Sequence, residues 1–211
     1  MRAVAVMPRG ANPRGLMPLG GILACALIAG CGGTPAASVR QRTGAIPPSL
    51  LAGVRPIGRG PRFQPPLKGS ATGACTTRLG AREQAHVELF GANRVVLLAA
   101  GIGTRAPRKL MDGRLQRAAC FGALVTLDPT GTVYLRPGTH PTVGELFTAW
   151  GQPLTRRRIA SFSGARVHVY VDGRLHRGSP RSVPLTSGAE IVLEVGPHVP
   201  PHRAYRFPPG D

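Results

Sequence analysis

Short runs of alternating apolar and polar residues predict that the chain from residue 75 onward consists mainly of β-strands. In the first run, Val87 and Leu89 alternate with His86 and Glu88. A period of two places successive side chains on opposite faces, so each run predicts a strand with one buried face. The predicted strands are Ala85–Phe90, Arg94–Ala100, Ala123–Leu127, Thr132–Leu135, Arg166–Val171 and Glu190–Val195.

Three short segments beside these runs have the composition of turns. Gly91–Asn93 separates the first two predicted strands, and Asp128–Gly131, which reads DPTG, separates the next two. In the second segment proline presets φ and glycine permits positive φ, as a tight turn requires. Asp172 and Gly173 form a third turn signal after Arg166–Val171. Strands joined by such short turns are predicted to pair as antiparallel hairpins.

One segment has the period of a helix instead. Thr142 and Glu145 have the spacing of a capping box, and Gly151 can end a helix in the left-handed conformation. The sequence therefore predicts a helix over residues 142–150 with one apolar stripe facing the core. The stripe, whose members are expected to be structural core residues, consists of Val143, Leu146, Phe147 and Trp150.

The order of these elements indicates an α+β fold, mostly antiparallel, with a β-grasp-like sheet crossed by one helix. Two strands precede the helix and two follow it, which is the strand–strand–helix–strand–strand order of such a sheet. The hairpin predicted over residues 85–99 would extend the sheet at its N-terminal side. Residues 75–211 are long enough to bury one core and are predicted to form a single domain.

The first 31 residues have the organisation of an export signal. Arginines precede Leu16–Gly30, an apolar run that is short for a membrane span but long enough for a signal core. The run ends in LIAGC, which resembles the lipobox of bacterial lipoproteins. That resemblance implies cleavage before Cys31, lipid attachment to its thiol and an extracytoplasmic location on the cell membrane. Residues 1–31 are therefore predicted to be a lipoprotein signal peptide, with an ordinary cleaved signal as the alternative.

Charge and composition predict a basic tether between this signal and the domain. The chain has 27 Lys and Arg residues against 9 Asp and Glu, a net charge of +18. Residues 32–74 are rich in Gly and Pro, hold six basic residues and contain no acid. Such a tether attracts anionic lipid or an anionic cell-wall polymer, although it could serve as a spacer alone. Aromatic residues make up only 5% of the chain, and this lack of stacking platforms disfavours nucleic acid as a partner.

Two cysteines remain in the predicted mature domain, because Cys25 lies in the signal core. They are Cys75 and Cys120, and they have no Cys-x-x-Cys spacing. Outside the cytoplasm such a pair indicates a structural disulfide. Metal ligation by the thiols is the alternative, but no histidine lies within nineteen residues downstream of Cys120. The sequence thus predicts a Cys75–Cys120 disulfide.

The sequence contains no catalytic signature. The patterns Gly-x-Ser-x-Gly, His-Glu-x-x-His and Gly-Lys-Ser/Thr are absent, and the nine acids are too scattered to assign a carboxylate pair. Leu97–Lys109 resembles the N-terminal signature of sugar-nucleotide pyrophosphorylases. The hairpins predicted around it, however, are not the βα units that such a phosphate loop needs. We therefore expect no enzyme activity, no catalytic residue and no cofactor.

Residues 75–210 resemble a family of exported proteins from high-GC bacteria that carries a His-Thr-His-Asp motif. In that family, a first cysteine precedes a His-x-His-x-His-Leu strand and the sequence Pro-Ala-Gly-Ile-Gly. A second cysteine precedes Leu-His-Thr-His-Asp, and a Leu-Gly-x-Phe-Phe-x-x-Trp-Gly helix and a Pro-Pro-x-x-Tyr-x-Phe-Pro-x-Gly tail follow. The residues that keep this frame are Cys75, Ala100–Gly103, Cys120, Asp128, Gly131, Gly144, Phe147, Trp150, Gly151 and Pro200–Gly210.

The histidines of that motif are mostly replaced in this chain. Gln84, Val125, Leu127 and Tyr134 occupy histidine positions, and only His86 is kept. If the family's imidazoles bind a transition metal, the resemblance leaves His86 as the one candidate metal ligand, which is too few for tight binding. The other histidines match no ligand position and are expected on loops or the outer face; they are His140, His168, His176, His198 and His202.

Together these observations predict a lipid-anchored, extracytoplasmic α+β module that binds or scaffolds a partner at the cell surface. One alternative is a transition-metal-binding protein in which His86 is joined by side chains from elsewhere in the fold. Three or more converging His, Cys or acidic side chains would favour it. A second alternative is an enzyme, which a deep pocket holding a perturbed acid or base would favour. The sequence specifies neither a ligand nor a protein partner.

Overall fold

The structure, a computed structural model, describes residues 55–198 and 200–207. The predicted signal peptide, Cys31 and the first part of the predicted tether lie outside the described residues. The described chain is mostly antiparallel β-structure with one α-helix, which confirms the predicted α+β class. None of its helices is long and apolar enough to cross a membrane.

Twelve strands and one helix make up the described elements. They are β1 (Glu83–Gly91), β2 (Arg94–Val95), β3 (Thr104–Met111), β4 (Arg114–Phe121), β5 (Leu124–Val125), β6 (Thr132–Leu135), α1 (Val143–Trp150), β7 (Leu154–Thr155), β8 (Arg158–Ile159), β9 (Phe162–Ser163), β10 (Val167–Val171), β11 (Arg174–His176) and β12 (Glu190–Val195). A short 3-10 turn, Pro180–Ser182, lies between β11 and β12.

The main sheet is organised around β1 and β12. Its strand order is β11-β10-β12-β1-β6-β5, with β2 paired to β1 outside this path. β1 and β12 run parallel, and the other strand pairs of this sheet are antiparallel. β3 and β4 form a separate two-stranded sheet, and β7, β8 and β9 form a third. The first and last strands of the sheet are therefore neighbours at its centre.

The helix begins and ends as its sequence predicts. Thr142 accepts a hydrogen bond from the backbone of Glu145, whose carboxylate accepts one from the Thr142 backbone, so the capping box is complete. Gly151 ends the helix with φ 73°, in the left-handed region that favours glycine. Phe147 and Trp150 are fully buried in one apolar cluster with Val167 and Val169 of β10. The helix thus covers one face of the sheet and forms the core with it.

Part of the predicted tether belongs to the folded domain. The amides of Lys68 and Gly69 both donate to the Trp150 carbonyl at 3.0 Å, at the end of the helix. Phe63 packs its ring against Phe162 with centroids 4.8 Å apart. The described residues from 55 to 74 therefore pack on the domain, which begins earlier than the boundary predicted at residue 75. Proline and glycine in this segment prevent regular structure, but they do not prevent packing.

Three parts of the fold have no counterpart among the predicted strands: the β3–β4 hairpin, the strands β7 to β9, and β11, which follows the predicted Asp172–Gly173 turn. The β3–β4 hairpin begins with TRAPRKLM, which lacks apolar alternation because both of its faces are largely exposed. The strands β7, β8 and β9 have two residues each, too few to show a period. Conversely, residues 94–100 and 123–127 are strands only at Arg94–Val95 and Leu124–Val125. Sequence alternation thus identified the central strands better than the peripheral ones.

The predicted disulfide between Cys75 and Cys120 is present, with Cα atoms 5.7 Å apart. Next to it, Thr76 and Phe121 exchange two backbone hydrogen bonds of 2.9 and 2.7 Å. The disulfide therefore attaches the segment before β1 to the end of β4.

Removing this disulfide is expected to destabilise the domain. Replacing both Cys75 and Cys120 by alanine releases a loop closed over 45 positions, which should lower the free energy of unfolding by about 4 kcal/mol. Urea unfolding of the oxidised protein, followed by circular dichroism, measures this change. A reductant should destabilise the parent and leave the double variant unaffected. Equal stability of the oxidised parent and the double variant would contradict a stabilising role.

Trp150→Ala is expected to cost about 3–5 kcal/mol of unfolding free energy, because it empties a fully buried site in the main core. Trp150→Phe is the matched control. It keeps an aromatic ring near Phe147 and removes an indole N–H that has no hydrogen-bond partner among the described residues. Its cost should therefore be clearly smaller. Urea unfolding followed by circular dichroism measures both, and an alanine variant as stable as the parent would refute the core role.

Candidate metal-binding site on the polar face of the sheet

The face of the main sheet opposite the helix carries buried polar residues. On β1, Ala85, Val87 and Leu89 point into the core cluster, so His86 and Glu88 lie on the other face. On β12, Ile191 and Leu193 belong to the core by the same alternation. The residues that lie on this polar face of the two strands include His86, Glu88, Glu190 and Glu194.

The parallel register places His86 directly opposite Glu190. The two side chains meet at 2.7 Å between His86 Nδ1 and Glu190 Oε2, and both are almost completely buried. The second ring nitrogen of His86, Nε2, lies 3.0 Å from the carbonyl oxygen of Thr130. A carbonyl only accepts, so Nε2 carries a hydrogen, and His86 and Glu190 share one further proton between them.

The turn before β6 makes room for the imidazole. Thr130 and Gly131 belong to the predicted DPTG turn, in which Asp128 accepts hydrogen bonds from the backbone and side chain of Thr130. Gly131 has φ 94°, and a Cβ there would lie 2.8 Å from His86 Nε2. Only glycine therefore fits this close approach without a shift.

Glu190 is the most unusual group of the face. Its side chain is 1% exposed, and burial raises the pKa of its carboxyl group, while His86 acts in the opposite direction. Its second oxygen, Oε1, has no hydrogen-bond partner among the described residues. An unpaired buried acceptor costs about 1–3 kcal/mol. Glu190 thus presents a buried oxygen that a cationic ligand could satisfy.

Glu88 and the C-terminal tail complete the site. His202 donates from Nδ1 to Glu88 Oε2 at 2.7 Å. Three residues later, Tyr205 stacks on the His86 ring with centroids 3.6 Å apart and an interplanar angle of 5°. The tail therefore covers His86 and Glu88, and it brings a second imidazole to the second carboxylate.

A cavity of about 510 Å³ opens beside this cluster. Its polar end is formed by His86, Glu88, Thr130 and Tyr205, and most of the remaining wall is apolar. Two residues of the cluster, His86 and Glu88, therefore line this cavity, whereas Glu190 does not.

The geometry of the cluster is that of a potential metal site. One ligand atom each from His86, Glu88 and Glu190 lie within 4.8 Å of one another. An imidazole with two carboxylates is a donor set for divalent ions such as Zn²⁺, for which nitrogen and oxygen distances are near 2.0–2.2 Å. These are the converging side chains that the metal-binding alternative requires.

A second cluster lies on the same face around Glu194. Its Oε1 atom is 2.7 Å from His198 Nδ1 and 3.4 Å from both His168 Nδ1 and the Tyr170 hydroxyl. Burial, followed by the charge of Glu194, raises the pKa of Tyr170. The polar face therefore continues across β12 to β10 as a band of carboxylates, imidazoles and phenols.

The structure gathers histidines and acids that the sequence left separate. His168, His198 and His202 lie on the outer face, and each contacts a glutamate there. Glu88 and Glu190, which spacing along the chain could not pair, meet because their strands are neighbours. One sequence signal could have identified these residues. His86 and Glu88 on β1, and Glu190 and Glu194 on β12, are an even number of positions apart, which places each pair on one face of its strand.

The glycine-rich turn at Gly101–Gly103 is not available to hold phosphate. The Gly101 amide donates to the Thr126 carbonyl at 2.8 Å, and the Ile102 amide donates to the Thr126 hydroxyl at 3.0 Å. The turn leads into β3 of a hairpin rather than into a helix. The amides of Gly101 and Ile102 therefore stabilise the contact with Thr126 instead of facing a ligand.

Comparison of the chain with protein-family models, with curated proteins and with solved structures gave no significant match.

Proposed function

We propose that this protein is an exported, lipid-anchored binding module that holds a divalent transition-metal ion at His86, Glu88 and Glu190. The observation that carries this proposal is the buried, unpartnered oxygen of Glu190 beside an imidazole and a second carboxylate. Buried charges in proteins are usually paired or bound to metals. A cation between the two carboxylates would satisfy this oxygen and compensate their charge.

The existing distances indicate how the ion would enter. In a tetrahedral zinc site with bonds of about 2.1 Å, neighbouring ligand atoms lie roughly 3.4 Å apart. His86 Nδ1 and Glu190 Oε2 are 2.7 Å apart. An ion that binds the Glu190 carboxylate through both oxygens would satisfy Oε1 and would replace the proton that Oε2 shares with His86, with the His86–Glu190 pair opening by less than 1 Å. His86 Nε2 keeps its bond to the Thr130 carbonyl, which holds the ring in orientation.

The C-terminal tail would close the site over the ion. His202 is already bonded to Glu88 and supplies a further imidazole, while the Tyr205 ring shields His86. The two cysteines of the described residues, Cys75 and Cys120, form a disulfide and so offer no thiol to the ion. The nitrogen and oxygen donors favour Zn²⁺ or Cu²⁺ over the softer Cu⁺ ion.

The fold and the location form part of the same proposal. We interpret the main sheet as β-grasp-like, supported by the central parallel pairing of its first and last strands and by the single helix between them. Lipid attachment at Cys31 is supported by the LIAGC sequence after an apolar core. The disulfide is consistent with export to an oxidising compartment.

Zinc binding by the purified full chain should depend on the three proposed ligands. Glu190→Gln keeps the shape and a hydrogen bond to His86 but removes the negative charge, so the affinity for Zn²⁺ should fall at least about 100-fold. Glu88→Gln should also weaken binding, and it changes a residue that is not fully buried. Isothermal titration calorimetry and elemental analysis measure the affinity and the stoichiometry.

Glu83→Gln is the matched control, since it makes the same chemical change at an exposed position of the same strand. Circular dichroism verifies that each variant is folded. A parent protein that binds no stoichiometric Zn²⁺ or Cu²⁺, or folded Glu88 and Glu190 variants that bind as the parent does, would refute the metal site.

Cys31→Ser should move the protein from the membrane fraction to the medium, because serine cannot receive the thioether-linked lipid. Cell fractionation followed by immunoblotting measures this distribution. Replacement of Cys25 by serine is the control, since that cysteine precedes the proposed cleavage site. Unchanged membrane retention of the Cys31 variant would contradict lipid anchoring at this residue.

A further inference from the structure

The β3–β4 hairpin has an exposed apolar tip. Leu110 and Met111 are 50% and 55% exposed, and they are adjacent at the end of β3. Asp112 and Gly113 join the strands with φ values of 51° and 77°, as in a tight two-residue hairpin turn. Two large apolar side chains, which point to the two faces of β3, are therefore exposed to solvent at this tip.

Positive charge surrounds this tip. The hairpin contains five basic residues and one acid, Asp112. Lys109 and Arg117 are exposed and directly opposite each other in the strand register. Like charges in this position repel each other, and neither side chain has an ion pair or hydrogen bond among the described residues. The basic residues of the hairpin are Arg105, Arg108, Lys109, Arg114 and Arg117.

The hairpin is attached to the domain both at its base and on one strand close to its tip. At its base, Cys120 of β4 forms the disulfide to Cys75. Close to the tip, buried Leu115, which pairs with Leu110, donates from its amide to the Leu127 carbonyl at 2.7 Å. Arg108 donates to the Gly69 carbonyl at 3.2 Å, so its guanidinium is used for attachment. The tip is thus an exposed part of a fixed element. Lys109 and Arg117 are the two cations of the hairpin that form no hydrogen bond or ion pair with the described domain.

We propose that this hairpin, defined as residues 104–121, docks on an anionic lipid surface, with Leu110 and Met111 inserted between headgroups. Lys109 and Arg117 then contact lipid phosphates, which removes their mutual repulsion. Two exposed apolar side chains beside two cations without ion pairs fit the interface of an anionic bilayer, which offers both apolar and negatively charged groups. Aromatic residues that would stack on bases are absent from the tip, so nucleic acid fits less well. The inference draws on the proposed membrane location and is independent of the metal site.

Vesicle binding by the full chain carrying Cys31→Ser tests this surface without a lipid anchor. Vesicles of phosphatidylglycerol and phosphatidylcholine are compared with vesicles of phosphatidylcholine alone in a sedimentation assay. Each cation at an anionic surface contributes roughly a factor of five to the partition constant. Lys109→Gln with Arg117→Gln should therefore lower binding to anionic vesicles roughly 25-fold, and Leu110→Ser with Met111→Ser should also lower it.

The β11 region offers a matched control. Arg174, Leu175 and Arg177 are exposed, and β11 lies at the opposite edge of the main sheet from β5. Arg174→Gln with Arg177→Gln removes the same charge, and Leu175→Ser removes an equally exposed leucine. The basic residues before the domain are present in every variant and contribute equally. The control variants should keep most of the binding.

A tryptophan at the tip reports insertion directly. The chain has a single tryptophan, Trp150, which is buried. In Met111→Trp, anionic vesicles should shift the emission to the blue and protect it from iodide, whereas Leu175→Trp should not respond.

Three results would overturn the docking proposal. The first is an equal loss of vesicle binding in the hairpin and β11 variants, which would mean that net charge alone is responsible. The second is equal binding to neutral and anionic vesicles. The third is unchanged vesicle binding by the hairpin variants together with lost binding to polyglutamate, which would assign the surface to an acidic protein instead. None of these results depends on whether Cys31 is lipidated.

Discussion

The parallel pairing of β1 with β12 is the constraint on which both faces of the main sheet depend. His86 and Glu190 are 104 positions apart along the chain, yet their strands are neighbours at the centre of the sheet. Each residue of β12 is buried, as expected for a strand covered on both faces. Because side chains alternate, this one register decides at once which residues form the core and which form the polar face. A slip by one residue would exchange the two sets.

The buried polar groups of this face lower the stability of the fold, and this indicates that the face serves a function. A buried pair such as His86 and Glu190 is often no more stabilising than apolar residues of similar volume. An additional acceptor without a partner, Glu190 Oε1, makes the face less favourable still. Local rules of stability are most often broken where a protein binds or reacts. The tail, the Thr130 turn and Glu88 all converge on this costly pair, which is why the metal site is the function that the geometry supports best.

The proposed metal site and the proposed membrane-docking hairpin lie on parts of the fold that are held in place by different contacts. The proposed metal ligands come from central strands, whose backbone is hydrogen-bonded on both sides and whose orientation is therefore well defined. The basic hairpin begins at Thr104; its base is fixed by the disulfide, and its β4 strand is fixed close to the tip by Leu115. This division allows the hairpin to contact a membrane without altering the strand register at the site. The tail, which contributes His202 and Tyr205, is the third element, and it contacts the site directly.

The sequence by itself determined the elements whose signals are local. The capping box of Thr142 and Glu145, the Gly151 helix end and the alternation of residues 85–90, 166–171 and 190–195 are all properties of a few neighbouring residues, so helix and central strands could be predicted. The disulfide followed from the number of cysteines and the predicted compartment. Hairpin β3–β4 was not predicted because β3 is largely exposed on both faces and because the buried residues of β4, Leu115, Ala118 and Phe121, do not alternate with period two.

Only the tertiary structure decided the site. Nothing local to His86 indicates Glu190, because their contact arises from a strand pairing across most of the domain. The same holds for His202 and Glu88, which are 114 positions apart. It also holds for residues 55–74, because a proline-rich segment shows no apolar period that would predict its packing on the end of the helix. A polar residue on an alternating strand has the same pattern whether its face meets solvent or another carboxylate. The choice between the two is made by long-range pairing, which a single sequence does not display.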